Sequence, residues 1–187
     1  MEYPKYEEMK DSGIEWVGEI PEHWESLKLK YCSNINMGSS PSSNTYNEAE
    51  KGLPFLQGNA DFQKRYPSTN IYCSSPKKIA EESDIMVSVR APVGEINIAN
   101  KKYVIGRGLC AISPIDITND YLWYFLQVAR KELYLKSTGS TYDAVSSEDV
   151  KDLNTLFPTI YEQEVIADFL DQETDRIDKL IDKKERL

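Results

Sequence analysis

The stretch Ile85–Ala99, IMVSVRAPVGEINIA, decides the fold class. Two apolar runs, Ile85–Val89 and Ile96–Ala99, flank a turn that contains Pro92 and Gly94. Short runs rich in Ile and Val and bounded by turn residues are typical of β-strands. Three further runs share this pattern: Leu53–Gln57, Tyr103–Ile105 and Leu109–Ile112. We therefore predict that the centre of the chain is mostly β structure.

The segments around this centre have less regular patterns. Residues 1–25 mix Gly, Pro and widely spaced aromatic residues without a helical or strand period, which predicts an extended strap lying on the core. Leu27–Tyr31 alternates apolar and basic residues, as a half-buried strand does. Ser75–Glu82 opens with Ser-Pro, a pair that favours a short helix at this point.

Helical patterns follow after Pro114. Thr118 is a plausible N-cap, and apolar residues then recur at three- and four-residue steps: Tyr121, Leu122, Phe125, Leu126, Ala129 and Leu133. Ser146 and Asp149 resemble a capping box before a short helix that ends at Leu153. The predicted fold class is α+β, a mostly β domain with packed helices followed by a long C-terminal helix.

The last predicted helix also has a distinctive spacing of apolar residues. Tyr161–Leu187 contains no Gly or Pro, and its apolar residues follow alternating four- and three-residue steps: Ile166, Leu170, Ile177, Leu180 and Leu187. This spacing predicts an apolar seam for a partner helix, although an ordinary terminal helix lying on its own domain is the alternative. We accordingly divide the chain into a domain over residues 1–158 and a spacer or dimerisation helix over residues 159–187.

Composition excludes several classes of protein. The chain has 187 residues, of which 40% are hydrophobic and 28% charged, as in folded domains. We expect a soluble, cytoplasmic protein, because the sequence has neither a membrane-length apolar run nor a signal peptide. Three cysteines without a CxxC pair predict buried thiols rather than a disulfide framework, and the single histidine, His23, excludes a His-rich metal site.

The net charge of −9 at first argues against a nucleic-acid partner. Its distribution is uneven, because residues 26–112 carry 11 bases and 7 acids, whereas residues 1–25 carry 2 bases and 8 acids. Residues 113–187 carry 9 bases and 16 acids. The predicted β region is therefore locally basic.

Catalytic motifs are missing from the sequence. It has no Asn/Asp-Pro-Pro-aromatic motif of adenine methyltransferases and no phosphate loop. Its E/D-x-K matches, such as those at Glu8, Asp149 and Asp182, fall in predicted helical or strap regions, not on a nuclease-like strand. We predict no active site, no metal and no cofactor bound by this chain.

Several stretches together resemble one family. They are Gly13–Trp24, Ser88–Glu95, Gly106–Gly108, Gly139–Asp149, Phe157–Pro158 and Glu162–Ala167. In this order they resemble the specificity subunits of type I restriction-modification systems. The resemblance implies a non-catalytic subunit that reads a split DNA sequence. Partner subunits would methylate adenine with S-adenosylmethionine, and translocate and cut with ATP and Mg.

The chain departs from that family in length. Typical members hold two recognition domains joined by two antiparallel helices, whereas this sequence holds one domain and part of one helix. It is either a half of a longer subunit or a single-domain member that forms a homodimer through the C-terminal helix. The implied partners are double-stranded DNA and the modification and restriction subunits, with no membrane.

Candidate DNA contacts are polar residues in predicted loops of the basic region, where hydroxyls, amides and cations can meet phosphates or base edges. The loop and strand-end candidates are Ser39, Ser40, Ser42, Ser43, Asn44, Tyr46, Gln57 and Asn59. The cations are Lys64, Arg65, Lys77, Lys78, Arg90, Lys101, Lys102 and Arg107, and a Gly-containing loop adds Thr138, Ser140, Thr141 and Tyr142. Solvated loops, internal ion pairs and helix capping are the alternatives for these residues.

A second hypothesis comes from the low pI of about 4.8. An acidic protein can mimic DNA and occupy the groove of a DNA enzyme. Such a mimic is expected to spread carboxylates over its main domain, whereas here they gather at both ends.

Overall fold

The computed structural model describes residues 6–137 and 143–185. It confirms the α+β class, with a mostly β domain and a long last helix. The strands are β1 (Met9–Asp11), β2 (Glu19–Pro21), β3 (Glu25–Lys28), β4 (Ser33–Met37), β5 (Tyr46–Asn47), β6 (Leu53–Leu56), β7 (Tyr72–Cys73), β8 (Ile79–Ala80), β9 (Ile85–Ser88), β10 (Ile96–Ile98), β11 (Tyr103–Ile105), β12 (Leu109–Pro114) and β13 (Asn154–Phe157). The helices are α1 (Asn119–Ser137), α2 (Ser147–Lys151) and α3 (Ile160–Glu185).

A four-stranded antiparallel sheet in the order β10-β9-β12-β4 forms the centre of the domain. Successive side chains of a strand point to opposite faces, so the unbroken apolar run of β9 requires cover on both sides. Ile85 and Val87 lie in the main core, whereas Met86 between them lies in a second core. Both faces of this sheet are therefore buried.

The second core lies between this sheet and a five-stranded one in the order β5-β7-β6-β11-β8. It joins Leu56 of β6 and Ile105 of β11 to Met86 and Leu109 of the four-stranded sheet. Strands β6 and β11 run parallel, with Val104 opposite Phe55 and Ile105 opposite Leu56. Both strands therefore end at the same edge of the sheet.

The main core lies between the four-stranded sheet and α1. All the apolar positions predicted for this helix, from Tyr121 to Leu133, are buried. The predicted capping box of α2 is present, because Ser146 Oγ accepts from the Asp149 amide and the Asp149 side chain accepts from the Ser146 amide. The Thr118 hydroxyl, in contrast, has no hydrogen-bond partner among the described residues, so the predicted side-chain cap of α1 is not formed.

The N-terminal segment is more regular than predicted. Strands β1 and β2 pair into a hairpin, and between them Gly13 and Gly18 adopt the positive φ values of 69° and 76° that glycine tolerates. Ile14 and Ile20 are buried in the main core, as expected of a strap lying on it. The predicted strand at Leu27–Tyr31 starts earlier, as β3, and then gives way to a 3₁₀ turn.

The helix predicted at Ser75–Glu82 is wrong. This segment contains β8, in which Ile79 pairs with Val104 and Ala80 with Tyr103. The Lys78 carbonyl also accepts a hydrogen bond from Ile105 N at 3.0 Å. Pairing with β11, distant in sequence, has overridden the local Ser-Pro start signal.

Helix α3 has 26 residues, about 39 Å at 1.5 Å per residue. Its first turns pack on the domain, where Gln163 and Ala167 are buried. No helix in the described ranges combines the length and the hydropathy needed to cross a membrane.

Candidate nucleic-acid interface

Three polar loops meet at one edge of the β region, where β4, β6 and β11 end. They are residues 38–40, 57–59 and 106–108, and we call them the glycine-linked rim. Backbone hydrogen bonds join them: Ser39 N donates to the Ile105 carbonyl at 3.0 Å, and Gly106 N donates to the Leu56 carbonyl at 2.7 Å. The rim is thus an extension of two strand pairs rather than a set of independent loops.

Glycines allow this close approach. A Cβ added to Gly38 would lie 2.1 Å from the Gly106 carbonyl oxygen, and one added to Gly106 would lie 2.8 Å from Gln57 Cα. A Cβ on Gly108 would lie 2.8 Å from the Gln57 carbonyl oxygen. Since a larger residue would clash at these contacts, glycine at the three positions permits the close approach that the backbone hydrogen bonds between the loops require.

Three candidate side chains converge on the rim. Gln57 Nε2 donates to Ser40 Oγ at 2.8 Å, and Ser40 Oγ also lies 3.2 Å from Gln57 Oε1. The backbone N–H of Arg107 donates to the same Ser40 oxygen at 3.3 Å. Gln57 and Arg107 are exposed, and Ser40 is half-buried. Both amide atoms of Gln57 therefore lie against the Ser40 hydroxyl at the surface.

Arg90 adjoins the rim on the other side. Val89 N donates to the Gly108 carbonyl at 2.9 Å, which places Arg90 beside residues 106–108. Arg90 also forms a β-bridge with Ala144. Neither Arg90 nor Arg107 forms an ion pair with any residue in the described ranges, so the alternative of an internal pair gains no support. Four candidates, Thr138, Ser140, Thr141 and Tyr142, lie outside the described residues.

Only part of the serine-rich loop belongs to the rim. Ser39 and Asn59 belong to the rim, whereas Ser42, Ser43 and Asn44 lie beyond it at an exposed 3₁₀ turn. Tyr46 has a structural position, because its ring stacks on Phe55 at 4.6 Å between centroids and its hydroxyl donates to the Pro41 carbonyl at 2.9 Å.

The paired cations occupy two separate places. Lys77 and Lys78 lie at the β8 edge close to Ile105, whereas Lys101 and Lys102 lie at the opposite end of β11. The Lys102 ammonium pairs with Glu81 at 2.7 Å, and Lys101 lies 5.7 Å from the centroid of the Tyr103 ring.

Lys64 and Arg65 are remote from the rim and face the helices. Lys64 pairs with Asp178 of α3, and Arg65 pairs with Asp120 of α1 and Asp171 of α3. For these two cations the structure provides internal partners.

The predicted seam of α3 divides into two halves. Ile166 and Leu170 are partly buried, and Ile166 packs against the main core. Ile177 and Leu180 are 53% and 60% exposed. Leu187 lies outside the described residues. The sequence analysis missed Ile181, which is 49% exposed beside the distal half, because it falls outside the strict four- and three-residue steps.

Glu162, also missed, joins the two ends of the chain. Its Oε1 accepts hydrogen bonds from the Tyr6 hydroxyl at 2.9 Å, His23 Nε2 at 2.9 Å and Trp24 Nε1 at 3.1 Å. Burial raises the pKa of this carboxyl, but hydrogen bonds from Trp24, Thr159 and His23 outweigh burial and lower it to about 2. The capping-box spacing of Thr159 and Glu162 was the available sequence signal.

The described ranges offer no support for a metal site or a reactive thiol. No group of three or more His, Cys, Asp or Glu side chains there could hold a metal ion. Cys32, Cys73 and Cys110 are free and buried, as predicted. Burial raises the pKa of the Cys32 thiol to about 11 and that of Cys110 to about 12, which disfavours the reactive thiolate.

Comparison with known proteins identifies the family of the chain. Residues 21–187 match the sequence model of the type I restriction modification DNA specificity domain. The chain belongs to this family. This specificity domain is 38% identical over 176 residues to the putative type I restriction enzyme MjaX specificity subunit of Methanocaldococcus jannaschii. The match covers 91% of this chain and 41% of that relative.

Solved structures of the same family have the same fold as this chain. The HsdS subunit from Thermoanaerobacter tengcongensis matches the specificity domain with a TM-score of 0.79 and 36% identity, over 92% of this chain and 41% of that one. A structure from a study of the assembly and conformational transition of the type I R-M system gives a TM-score of 0.82 and 36% identity, over 92% and 42%. The S subunit from M. genitalium, at 17% identity and a TM-score of 0.65 over 86% and 41%, shares the fold. The chain thus spans about two fifths of the length of its relatives.

Proposed function

We propose that this chain is the sequence-reading part of a type I restriction-modification specificity subunit and that it contacts double-stranded DNA through the glycine-linked rim. One observation carries the proposal. Ser40, Gln57 and Arg107 are brought together on loops that glycine contacts hold in place, with Arg90 beside them. Readout of base edges requires amide, hydroxyl and guanidinium groups brought together at the surface, and Gln57 would exchange its contact with Ser40 for one with a base.

Each group on the rim has a distinct chemical use. A Gln amide can donate to N7 and accept from N6 of adenine, and an arginine can bind guanine or phosphate. In the free chain, Ser40 contacts both amide atoms of Gln57 and occupies the edge that would bind adenine. We assign Gln57 to base readout, Arg107 to a base or phosphate, and Arg90 to phosphate.

The remaining candidates are proposed to position the duplex. Those near or beyond the rim are Ser39, Ser42, Ser43, Asn44, Asn59, Lys77 and Lys78. Two others, Lys101 and Lys102, lie at the opposite end of β11. Phosphate contacts of this kind fix the register of the protein on DNA without reading sequence. Thr138, Ser140, Thr141 and Tyr142 remain candidates on the basis of the sequence.

The proposed complex supplies the chemistry that this chain lacks. We propose residues 1–158 as the recognition domain and residues 159–187 as the spacer helix, whose exposed Ile177 and Leu180 meet a partner helix. That helix belongs to a second copy, to another part of a longer subunit, or to a modification subunit. S-adenosylmethionine, Mg and ATP would act on the partner subunits, and the complex would work in the cytoplasm, where the DNA is.

The alternative of an acidic DNA mimic has little support. Arg90 and Arg107 present unpaired positive charge at the rim, within the described residues, where a mimic requires carboxylates. The family of the chain also favours a reader over an inhibitor.

Methylation-site mapping tests the proposal. The chain is combined with its cognate modification subunits, and methylated adenines are mapped in DNA that contains many candidate sites. The native chain should give one interrupted motif. Gln57→Ala should relax one position of that motif, with a loss of about 1 to 3 kcal/mol of discrimination.

Asn70→Ala is the matched control, because Asn70 is an exposed amide outside the rim. It should leave the motif unchanged. A motif that keeps every position in Gln57→Ala would refute the assignment of base readout to Gln57. Absence of any motif with the native chain would refute the proposed function itself.

A further inference from the structure

A loop of the β region reaches across to both long helices. Its Arg65 Nη2 lies 2.9 Å from Asp120 Oδ1 of α1, and its Nη1 lies 3.3 Å from Asp171 Oδ1 of α3. The Arg65 guanidinium also lies 5.8 Å from the centroid of the Trp123 ring, within the range of a cation–π interaction. One side chain of this loop therefore contacts both α1 and α3.

Asp171, the partner of Arg65 on α3, also contacts other side chains. The Tyr124 hydroxyl donates to Asp171 Oδ1 at 2.5 Å and lies 3.2 Å from Thr174 Oγ1. Lys64 adds an ion pair to Asp178, two turns further along α3. The loop thus binds one face of α3 over several turns.

α3 is bound to the domain near its N-terminal end. Gln163 is buried, its Oε1 accepts from Thr118 N at 2.7 Å, and its Nε2 donates to the Pro158 carbonyl at 3.0 Å. An anchor at one place fixes the position of a rod better than its direction. Ile166 and Ala167 pack on the main core close to Gln163. Asp171 lies about 12 Å beyond Gln163 along the axis, so its contacts with Arg65 and Tyr124 hold α3 further along its length.

The length of α3 makes its direction important. Glu185 lies about 33 Å beyond Gln163 along the helix axis. A swing of about 10° at the root would move that end by about 6 Å, close to two base-pair steps of about 3.4 Å. A spacer helix can set the distance between two DNA half-sites only if such swings are prevented.

We infer that Arg65 is a positioning residue that fixes the direction of α3 relative to the recognition domain and so determines the gap between half-sites. The consequence for the gap rests on the proposed function. The sequence pointed instead to a phosphate contact for Arg65. Its two carboxylate partners already balance its charge, which disfavours that role.

The test uses the full chain with its cognate modification subunits and duplexes in which the gap of the mapped motif is shortened or lengthened by one base pair. Arg65→Ala and Asp171→Asn should each lower the preference for the native gap by about fivefold or more. Arg65→Lys should not restore it, because one ammonium cannot replace a fork that reaches two carboxylates. Lys51→Ala, which removes an exposed cation elsewhere in the β region, is the control and should retain the preference.

A phosphate contact gives the opposite pattern. Arg65→Ala would then weaken methylation equally at every gap, Arg65→Lys would largely restore it, and Asp171→Asn would have no such effect. That outcome would overturn the inference.

A measurement without DNA separates this inference from the proposed function. Spin labels at Asn70→Cys and Lys179→Cys report the distance between the β region and α3, and the three native thiols are buried. Arg65→Ala and Asp171→Asn should at least double the width of the distance distribution, whereas Lys51→Ala should not. An unchanged width would refute the role of Arg65 even if the chain reads DNA as proposed. A broader distance distribution would support the role of Arg65 even if no methylation motif were found.

Discussion

Gly38 shows how single residues hold the rim together. A Cβ at this position would lie 2.1 Å from the Gly106 carbonyl oxygen and 2.8 Å from that of Leu109, and both are backbone atoms that cannot rotate away. We expect Gly38→Ala to lower the free energy of unfolding by about 1 to 3 kcal/mol and to separate the loops. Urea unfolding monitored by fluorescence measures the first effect.

Gly58→Ala is the matched control for this prediction. Gly58 lies in the same rim with an extended backbone, and nothing lies within 4 Å of an added Cβ. Its substitution should change the free energy of unfolding by less than about 0.5 kcal/mol. Equal stability of the two variants would mean that the close contact at Gly38 is easily relieved.

At the residue scale, local position in the sequence was sufficient to predict where some candidate residues lie in the fold, and their contacts with DNA stay a prediction. Gln57 was singled out as an amide at a strand end, and Arg107 as a cation beside an apolar strand, and both lie exposed on the rim. Arg65 was a candidate only as one of two adjacent cations, and its partner Asp171 is 106 residues away in sequence. No local pattern reveals a carboxylate that only tertiary packing brings close.

At the scale of elements, α3 combines two kinds of surface. Ile166 packs against the main core, whereas Leu180 is 60% exposed, although both belong to the same predicted seam. We expect Ile166→Ala to lower the free energy of unfolding by about 1 to 2 kcal/mol. Leu180→Asp should leave stability within about 0.5 kcal/mol and should instead weaken association with a partner helix.

Urea unfolding and light scattering over a range of concentrations, with and without modification subunits, distinguish these effects. Leu180→Asp that assembles as well as the native chain would exclude the distal seam as an interface. A native chain that stays monomeric at high concentration would exclude pairing of two copies and leave the other partner helices.

Helices were predicted best where their pattern was long. The apolar positions of α1 repeat over four turns, and a long amphipathic pattern has few alternatives. The segment Ser75–Glu82 offered only a start signal, and its Ile79 and Ala80 gained more by pairing with β11. The hairpin of β1 and β2 was missed for a related reason, because three-residue strands are too short to show a period.

At the scale of the whole molecule, charge is separated along the fold. Arg107 belongs to the rim and Arg90 adjoins it, and neither forms an ion pair with another residue within 6–137 and 143–185. In contrast, the face of α3 that binds Lys64 and Arg65 is acidic, with Asp171 and Asp178. A chain of net charge −9 can therefore present a cationic edge to DNA while repelling the duplex elsewhere.

This arrangement predicts a salt dependence that follows position rather than net charge. Each phosphate contact contributes about −0.9 to the slope of log K against log salt concentration for duplex DNA. The double variant Arg90→Ala and Arg107→Ala should reduce the magnitude of the slope by up to about 1.8, measured by fluorescence anisotropy on the complex with modification subunits. The double variant Lys179→Ala and Lys183→Ala removes the same charge from exposed sites on distal α3 and should leave the slope unchanged. If the two double variants lower the slope equally, general electrostatic attraction governs binding, and the rim makes no phosphate contacts of its own. If only the rim variant lowers it, the local cationic edge outweighs the acidic remainder, since screening confines the field of the distal acids to about 10 Å at 0.1 M salt.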